Sequence, residues 1–255
     1  MIITENRIML KKERQAQIIK QINLHNKVLS SDLSLKLNVS EDTIRRDLNE
    51  LALDHIIVKV HGGALSKSYN FTASHADTYA YDKKNIIAQK AISLFREGMT
   101  ILCSGGTTMR TIASKLPENL HITFFTVSPL IALELTEHPN VEVILLGGKL
   151  SNSSKISVGG EVVSKISEIK ADMCILGING FDQEGISDSD YEVVQVKKAM
   201  IKASKQIIAP IISEKLNSTL RLQVASVDEV DYLITELSPD HKILESYQSK
   251  VRYIL

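Results

Sequence analysis

The chain has 255 residues, and its 30 lysines and arginines are balanced by 30 aspartates and glutamates, so its formal net charge is zero. This length fits one small domain followed by one of about 180 residues. The two cysteines, Cys103 and Cys174, do not make a disulfide framework and are expected as buried thiols. No apolar stretch approaches the roughly 20 residues that span a bilayer, and the first residues lack the apolar core of a signal peptide. We therefore expect a cytoplasmic protein without a membrane partner.

The charges are not evenly distributed along the chain. Residues 1–67 contain eleven basic and eight acidic side chains, a net of +3, and the remainder has a net of −3. A mildly basic head on an acidic body is expected when only one end of a protein meets phosphate, although the asymmetry is weak support by itself.

The first 40 residues predict two helices and a tight turn. Residues 13–24 place isoleucines on one side of a helix, and a short second helix follows with Ser30 or Ser31 as its cap. Residues 37–40 form the connection into a third helix. This order of elements is typical of a helix-turn-helix, whose last helix lies in the major groove of DNA.

The third helix, over residues 40–53, is predicted to carry a DNA-reading face. Ser40 caps its start, and Ile44, Leu48 and Leu51 form one apolar stripe. The side chains away from the stripe are of the kinds that bond phosphates and base edges, namely Thr43, Arg45, Arg46 and Asn49. For this helix alone, an ordinary solvated surface is an equally good interpretation.

A β-branched run at 56–60, followed by His61, Gly62 and Gly63, predicts one strand and the turn of a hairpin. Such a hairpin would be a wing that touches the DNA backbone through Lys59 and His61. We predict a winged helix-turn-helix domain over residues 1–65, a linker over 66–82, and a second domain over 83–255.

The second domain alternates strands and helices. Strands are expected at 99–103, 121–127, 141–146, 171–178, 206–212, 232–235 and 251–254, and helices at 83–95, 107–116, 129–137, 158–169, 191–203 and near 241–247. This alternation predicts an α/β domain with a mostly parallel sheet. Ligands of such sheets bind at the carboxyl ends of the strands.

The loop after the first of these strands, residues 104–108, is the most informative one. Gly105 and Gly106 expose backbone amides, and Thr107 and Thr108 add hydroxyl donors at a helix start, an arrangement that suits a phosphate. The spacing matches neither a Walker A loop nor G-x-G-x-x-G. A capped turn without a ligand is about equally probable for this loop alone. Ser128 and Gly148 follow the next two strands, where Gly147-Gly148 is better explained as a plain turn.

Two lysines and one glutamate are candidates to complete an anion site at the same sheet edge. Lys197 and Glu192 lie on the helix after the fourth strand, and Lys215 follows the fifth strand. Each taken singly is best explained as a surface residue, and their common position at one sheet edge makes the site worth considering.

The two halves together resemble the DeoR family of bacterial transcriptional regulators along nearly the whole chain. The resemblance rests on residues 39–48 and 61–64 in the head and on 104–108, 145–148, 196–200 and 213–215 in the body. It implies a regulator, usually a repressor of carbohydrate or nucleoside catabolism. It also implies a sensor domain similar in fold to ribose-5-phosphate isomerase and glucosamine-6-phosphate deaminase, with a phosphorylated sugar as effector.

The chain departs from the family pattern at four positions. Ser104 and Ile212 stand where the family usually has aspartate, Val127 where it has asparagine, and Lys59 where it has arginine. The departures in the body fall on polar contacts to the ligand, whereas the string in the third helix is intact.

We therefore expect a DNA-binding repressor that is released by a phosphorylated sugar. It would act as a homodimer or homotetramer on paired half-sites, because one recognition helix covers too few base pairs. The DNA-binding residues are predicted to be Ser40, Thr43, Arg45, Arg46, Asn49, Lys59 and His61. The effector-binding residues are predicted to be Ser104, Gly105, Gly106, Thr107, Thr108, Ser128, Gly148, Glu192, Lys197 and Lys215.

Two alternatives remain open. A less favoured one is a sugar-phosphate isomerase or deaminase with a DNA-binding appendage, for which Asp182, Asp188, Asp190 or Glu192 would have to supply a general base. The other is a DNA-binding oligomer whose sensor site has decayed. No cofactor or metal is expected, because the seven histidines form no ligand spacing with either cysteine.

Overall fold

A computed structural model describes residues 9–25, 27–66 and 78–255. These residues fall into two compact units, a head before the gap at 67–77 and a body after it. Within the described ranges, no helix is both long enough and apolar enough to cross a membrane.

The head contains three helices and a small sheet. Its elements are α1 (Lys11–His25), β1 (Lys27–Leu29), α2 (Ser30–Leu37), α3 (Glu41–Leu53), β2 (Ile57–Val60) and β3 (Gly63–Ser66). The strands form an antiparallel sheet in the order β1-β3-β2. The predicted helices and the hairpin are confirmed. The strand β1 was not expected.

The capping prediction for α2 is wrong. The residue at the cap position is Leu29, with an extended backbone and no side-chain cap, and Ser30 is the first helical residue. Because Leu29 already pairs with Gly63 across the sheet, the chain enters α2 directly from a strand and needs no polar cap to set the turn.

The two glycines of the hairpin serve different purposes. Gly62 has a φ of 75°, which a tight two-residue turn requires and which glycine adopts without strain. A Cβ on Gly63 would lie 1.9 Å from the carbonyl oxygen of Val28, so the close approach of β1 demands glycine there. The head core lies between these strands and the helices and includes the predicted stripe Ile44, Leu48 and Leu51, all at most 3% exposed.

The body is built on a seven-stranded parallel sheet. The sheet strands are β4 (Thr100–Cys103), β5 (Ile122–Thr126), β6 (Val141–Leu145), β9 (Ala171–Ile175), β12 (Ser204–Pro210), β14 (Tyr232–Ile234) and β15 (Tyr253–Ile254). The helices are α4 (Tyr81–Ile92), α5 (Thr107–Ala113), α6 (Pro129–Leu135), α7 (Gly160–Ser167) and α8 (Tyr191–Lys202). The seven predicted strands all belong to this sheet, so the predicted α/β class is confirmed.

Short strands in the loops were not predicted. A pair, β7 (Lys149–Leu150) and β8 (Ser157–Val158), precedes α7, and a second antiparallel sheet joins β10 (Gly180–Asp182), β11 (Gly185–Asp188) and β13 (Leu222–Ser226). The helix expected at 158–169 therefore begins only at Gly160, and the segment expected as a short helix near 241–247 is 3-10 helix over Lys242–Tyr247. Residues 149–158, which contain β7 and β8, are mostly serine, lysine and asparagine, a composition that is typical of a loop.

The edges of the predicted linker belong to regular elements. Ser66 is the last residue of β3, and Tyr81 and Asp82 form the first turn of α4. Residues 67–77 of that predicted linker lie outside the described residues.

The sheet order is β15-β14-β12-β9-β4-β5-β6. From β4 the chain continues to β5 and β6 on one side, and then returns to place β9 on the other side. The strand order therefore reverses between β4 and β9, and the crevice at the carboxyl ends of these two strands is the place where ligands of open α/β sheets bind.

Candidate functional site

In the head, α3 begins on the predicted cap. The Ser40 hydroxyl accepts a hydrogen bond from the backbone amide of Thr43 at 3.2 Å, and the two hydroxyls lie 2.9 Å apart. The hydroxyls of both residues are therefore engaged in shaping the start of the helix, which fixes the position of the residues that follow.

Arg45 and Arg46 point to solvent. Their side chains are 63% and 78% exposed, and each forms an ion pair one turn back along the helix, Arg45 with Glu41 and Arg46 with Asp42. Ion pairs this exposed contribute little to stability, so the two guanidinium groups can exchange these carboxylates for phosphates or base edges at small cost.

The wing contacts the same helix. Lys59 of β2 donates a hydrogen bond from its ammonium to the side-chain oxygen of Asn49 on α3, and both residues are exposed. His61 is exposed in the hairpin turn. The structure thus brings Asn49 and Lys59 together on one surface of the head.

Asp47 of α3 has a structural role that the sequence analysis did not identify. It is 2% exposed and accepts two hydrogen bonds from the guanidinium group of Arg14 on α1, at 2.5 and 3.2 Å. The carboxylate and its hydrogen bonds raise the pKa of Arg14 above its ordinary value, although burial opposes this. The pair fixes α3 against α1 and so orients the exposed arginines.

In the body, the loops that follow β4 and β9 touch at the switch point. The amide of Gly177 donates to the Ser104 hydroxyl at 2.6 Å, and that hydroxyl donates to the carbonyl oxygen of Gly105 at 3.3 Å. A Cβ on Gly177 would lie 2.2 Å from the same carbonyl oxygen, so the approach requires glycine. Ser104 therefore joins the two loops.

Lys197 is buried in this crevice beside one carboxylate. Its ammonium lies 2.6 Å from Asp188 and 2.7 Å from the carbonyl oxygen of Gly177, and the side chains of Lys197 and Asp188 are 4% and 3% exposed. Burial raises the pKa of Asp188, but the attraction and hydrogen bond of Lys197, together with backbone amides, bring it below the ordinary value.

Two further lysines reach the same place. Lys215 donates to the carbonyl oxygen of Ile178 at 2.8 Å, and Lys84 of α4 donates to the Thr107 hydroxyl at 2.9 Å. Burial, together with repulsion from Lys84 and Lys197, lowers the pKa of Lys215 to about 7. Burial lowers the pKa of Lys84 to about 8. We call Lys84, Lys197 and Lys215 the lysine cluster.

Lys84 was missed by the sequence analysis, although a signal was present. Ile87, Ala88 and Ala91 are buried on one face of α4. Lys84 lies three, four and seven residues before them and therefore falls on the same face. A lysine in an apolar stripe is seldom buried without a partner, so its position marks it as a candidate for a polar site.

Other predicted contacts of the effector have partners within the protein. Thr107 accepts from Lys84, and the Ser128 hydroxyl donates to the carbonyl oxygen of Lys155 at 3.3 Å. Gly105 lies where a Cβ would meet Ile156 at 2.7 Å, and Gly106 has a φ of 126°, so both glycines are needed for the shape of the loop. Thr108 lies at the start of α5 and is partly exposed.

Two predicted residues stand apart from the lysine cluster. A Cβ on Gly148 would lie 2.4 Å from a methyl group of Val162, so this glycine permits close packing against α7. The Glu192 side chain is 46% exposed and forms an ion pair with Lys149 at 3.0 Å. The observed contacts of Gly148 and Glu192 thus explain their positions without a ligand.

The cysteines are buried, as expected. Burial raises the pKa of the Cys103 thiol to about 12, and it also raises the pKa of the Cys174 thiol. Among the described residues, no group of three histidine, cysteine, aspartate or glutamate side chains is arranged to hold a metal ion.

Comparison with known proteins matches both halves of the chain. A family model described as the DeoR C terminal sensor domain matches residues 79–237, and one described as a DeoR-like helix-turn-helix domain matches residues 14–69. The HTH-type transcriptional repressor GlcR of Bacillus subtilis is 31% identical over 91% of both chains. The glycerol-3-phosphate regulon repressor of Haemophilus influenzae is 30% identical over 95% of this chain and 96% of its own length.

Among solved structures, ribose 5 phosphate isomerase A from Neisseria gonorrhoeae aligns with 54% of this chain and 54% of its own length. The sequence identity is 17% and the TM-score is 0.40.

Proposed function

This chain belongs to the DeoR family of DNA-binding transcriptional regulators, and from that premise we propose that it represses a carbohydrate or nucleoside catabolic operon and is released by a phosphorylated sugar. The relatives are named as transcriptional regulators, which supports the expectation of a regulator rather than an enzyme.

The exposed surface of the head supports the operator contact. Among the described residues, the ion pairs of Arg45 and Arg46 are exposed ones, and Lys59 lies beside Asn49. Four exposed side chains able to bond phosphates or base edges therefore belong to α3 and the wing. We propose that α3 enters the major groove and that Lys59 and His61 contact backbone phosphates. A symmetric dimer or tetramer in the cytoplasm would place two such helices on paired half-sites.

The observation that carries the effector proposal is the lysine cluster. Three ammonium groups lie at the carboxyl ends of β4, β9 and β12. Among the described residues, Asp188 is the one carboxylate that pairs directly with any of them. Their burial and mutual repulsion are unfavourable in the free protein, and a dianion placed among them would relieve both. A phosphoryl group meets that requirement.

Thermal unfolding of the purified protein with a panel of sugar phosphates tests this proposal. One relative is named for the glycerol-3-phosphate regulon, so glycerol 3-phosphate belongs in the panel beside hexose and pentose phosphates, inorganic phosphate and the unphosphorylated sugars. We expect one phosphorylated compound to raise the unfolding temperature more than inorganic phosphate does, and the rise to disappear in Lys215→Gln.

The matched control is Lys198→Gln, which removes an exposed lysine from α8. It should leave the rise unchanged. If no compound in the panel raises the unfolding temperature while DNA binding is intact, the effector proposal fails and a DNA-binding oligomer with a decayed sensor site is favoured.

A further inference from the structure

Lys84 contacts two parts of the body that are far apart in sequence. Its ammonium donates to the Thr107 hydroxyl at 2.9 Å and also to the backbone carbonyl oxygen of Tyr79. Thr107 belongs to the loop in which the phosphoryl group is proposed to bind. Tyr79 lies in the segment through which the chain enters the body from the direction of the head. A single buried cation therefore connects the proposed effector site to the entry of the chain.

The same entry segment has a second attachment. The Tyr79 hydroxyl donates to the Glu214 carboxylate at 2.5 Å, and Lys83 forms an ion pair with Glu214 at 2.6 Å. Burial and the nearby Glu214 raise the pKa of the Tyr79 hydroxyl, so it remains a donor throughout the physiological range. Glu214 precedes Lys215, a member of the lysine cluster. Both ends of Tyr79 are thus held by residues at the effector site or next to it.

The backbone between these attachments is strained. Ala80 has a φ of 55°, in the left-handed region that a residue with a Cβ rarely adopts, and it occupies the cap position of α4 without a side-chain cap. A strained turn persists only where the surrounding contacts hold it. Here the surrounding contacts include the hydrogen bonds of Tyr79 with Lys84 and Glu214.

We propose that Tyr79, Lys84 and Glu214 form a clasp that transmits effector binding to the head. A phosphoryl group beside Thr107 would attract the Lys84 ammonium away from the Tyr79 carbonyl, since a charged acceptor forms a stronger hydrogen bond than a neutral one. The strained turn at Ala80 would then be released, together with residues 78 and 79 that precede it. This inference rests on the proposed function, because it assumes that the effector binds at the lysine cluster.

The first test breaks the clasp without any effector. Operator affinity is measured on a DNA fragment selected from a random-sequence pool, using the full chain and Lys84→Gln, Tyr79→Phe and Lys90→Gln. We expect Lys84→Gln and Tyr79→Phe each to weaken binding about fivefold or more, a typical coupling between two sites. Lys90→Gln is the matched control, because Lys90 lies on the same helix and also donates to two backbone carbonyls, those of Thr235 and Leu237.

Tyr79→Phe keeps the test decisive if Lys84→Gln fails to fold, since it removes one hydroxyl and no charge. Operator affinities of the folded clasp variants equal to that of Lys90→Gln would overturn the clasp, and would leave the repressor and its effector site unaffected.

The second test follows the entry segment directly. Hydrogen exchange of backbone amides in residues 79–90 is compared in inorganic phosphate and in chloride at equal ionic strength, with thermal unfolding recorded in parallel. The clasp predicts faster exchange at 79–84 together with a higher unfolding temperature in phosphate. A higher unfolding temperature with unchanged exchange would overturn the clasp alone. No stabilisation by phosphate or by any compound of the sugar-phosphate panel would contradict the effector site itself, and the clasp with it.

Discussion

Arg14 and Asp47 join the first and third helices of the head through two hydrogen bonds, although Asp47 directly follows the two arginines that face solvent. The three consecutive residues Arg45, Arg46 and Asp47 therefore point in different directions. Two side chains point outward, where they can meet DNA, and the third is 2% exposed and holds the helix in place.

Replacing Asp47 should destabilise the head. Asp47→Ala leaves the Arg14 guanidinium, whose side chain is 13% exposed, without its carboxylate. Breaking a buried pair by removing one partner costs about 3–5 kcal/mol, and the partial exposure of Arg14 reduces this to about 2–3 kcal/mol. Urea denaturation followed by circular dichroism measures the change in the free energy of unfolding.

The control for this prediction is Asp42→Ala, which breaks the exposed pair with Arg46. It should change the free energy of unfolding by no more than about 0.5 kcal/mol, as is usual for surface pairs. Equal effects of the two substitutions would show that the Arg14 pair does not hold α3.

Removing the wing cation should weaken DNA binding without changing its sequence preference. We propose that Lys59 contacts the phosphate backbone, so in Lys59→Ala the slope of log affinity against log salt should fall by about one. The measurement is a salt titration of DNA binding on two unrelated sequences. A loss confined to one sequence would mean instead that Lys59 reads bases.

Effector affinity should depend on pH in a defined direction. The free protein holds the pKa of Lys215 at about 7 and that of Lys84 at about 8, mainly because of burial. A phosphoryl dianion favours the protonated forms of both lysines, so at pH values above their pKa values the protein takes up protons when the effector binds. The effector affinity should therefore fall as the pH rises from 7 to 9. Calorimetry in buffers of different ionisation enthalpy measures this proton uptake.

The matched control for the pH prediction is Lys198→Gln, which removes an exposed lysine and should take up as many protons on binding as the unmodified protein. Proton release on binding would contradict the assignment of the lysine cluster as the anion site.

Opening the crevice at the switch point should abolish effector binding and spare the head. In Gly177→Ala the new Cβ would lie 2.2 Å from the carbonyl oxygen of Gly105, which would force the loops after β4 and β9 apart. The expected result is loss of the effector-induced rise in unfolding temperature, while the circular dichroism spectrum is retained. Gly147→Ala is the control, since its Cβ would meet nothing within 4 Å. Effector binding that survives in Gly177→Ala would place the site elsewhere.

The sequence predicted most of the fold because its strongest signals are periodic. The stripe Ile44, Leu48 and Leu51 and the seven body strands needed only hydrophobic patterning, whereas the order of the strands in the sheet was not predicted. The strands β7 and β8 were not predicted because residues 149–158 are mostly serine, lysine and asparagine, a composition that is typical of a loop. The roles of Asp47 and Lys84 were not predicted, for a common reason. Each is a charged residue on the apolar face of its helix, and its role depends on a partner far away in sequence.

We expect the outward face of α3 to read DNA, which selection of binding sites from a random-sequence pool measures. The full chain should enrich a motif of paired half-sites, and Arg46→Ala should enrich none. Arg252→Ala changes an exposed arginine of the body and should enrich the same motif as the unmodified protein. Enrichment of an unchanged motif by Arg46→Ala, or no enrichment by the unmodified protein, would contradict this expectation.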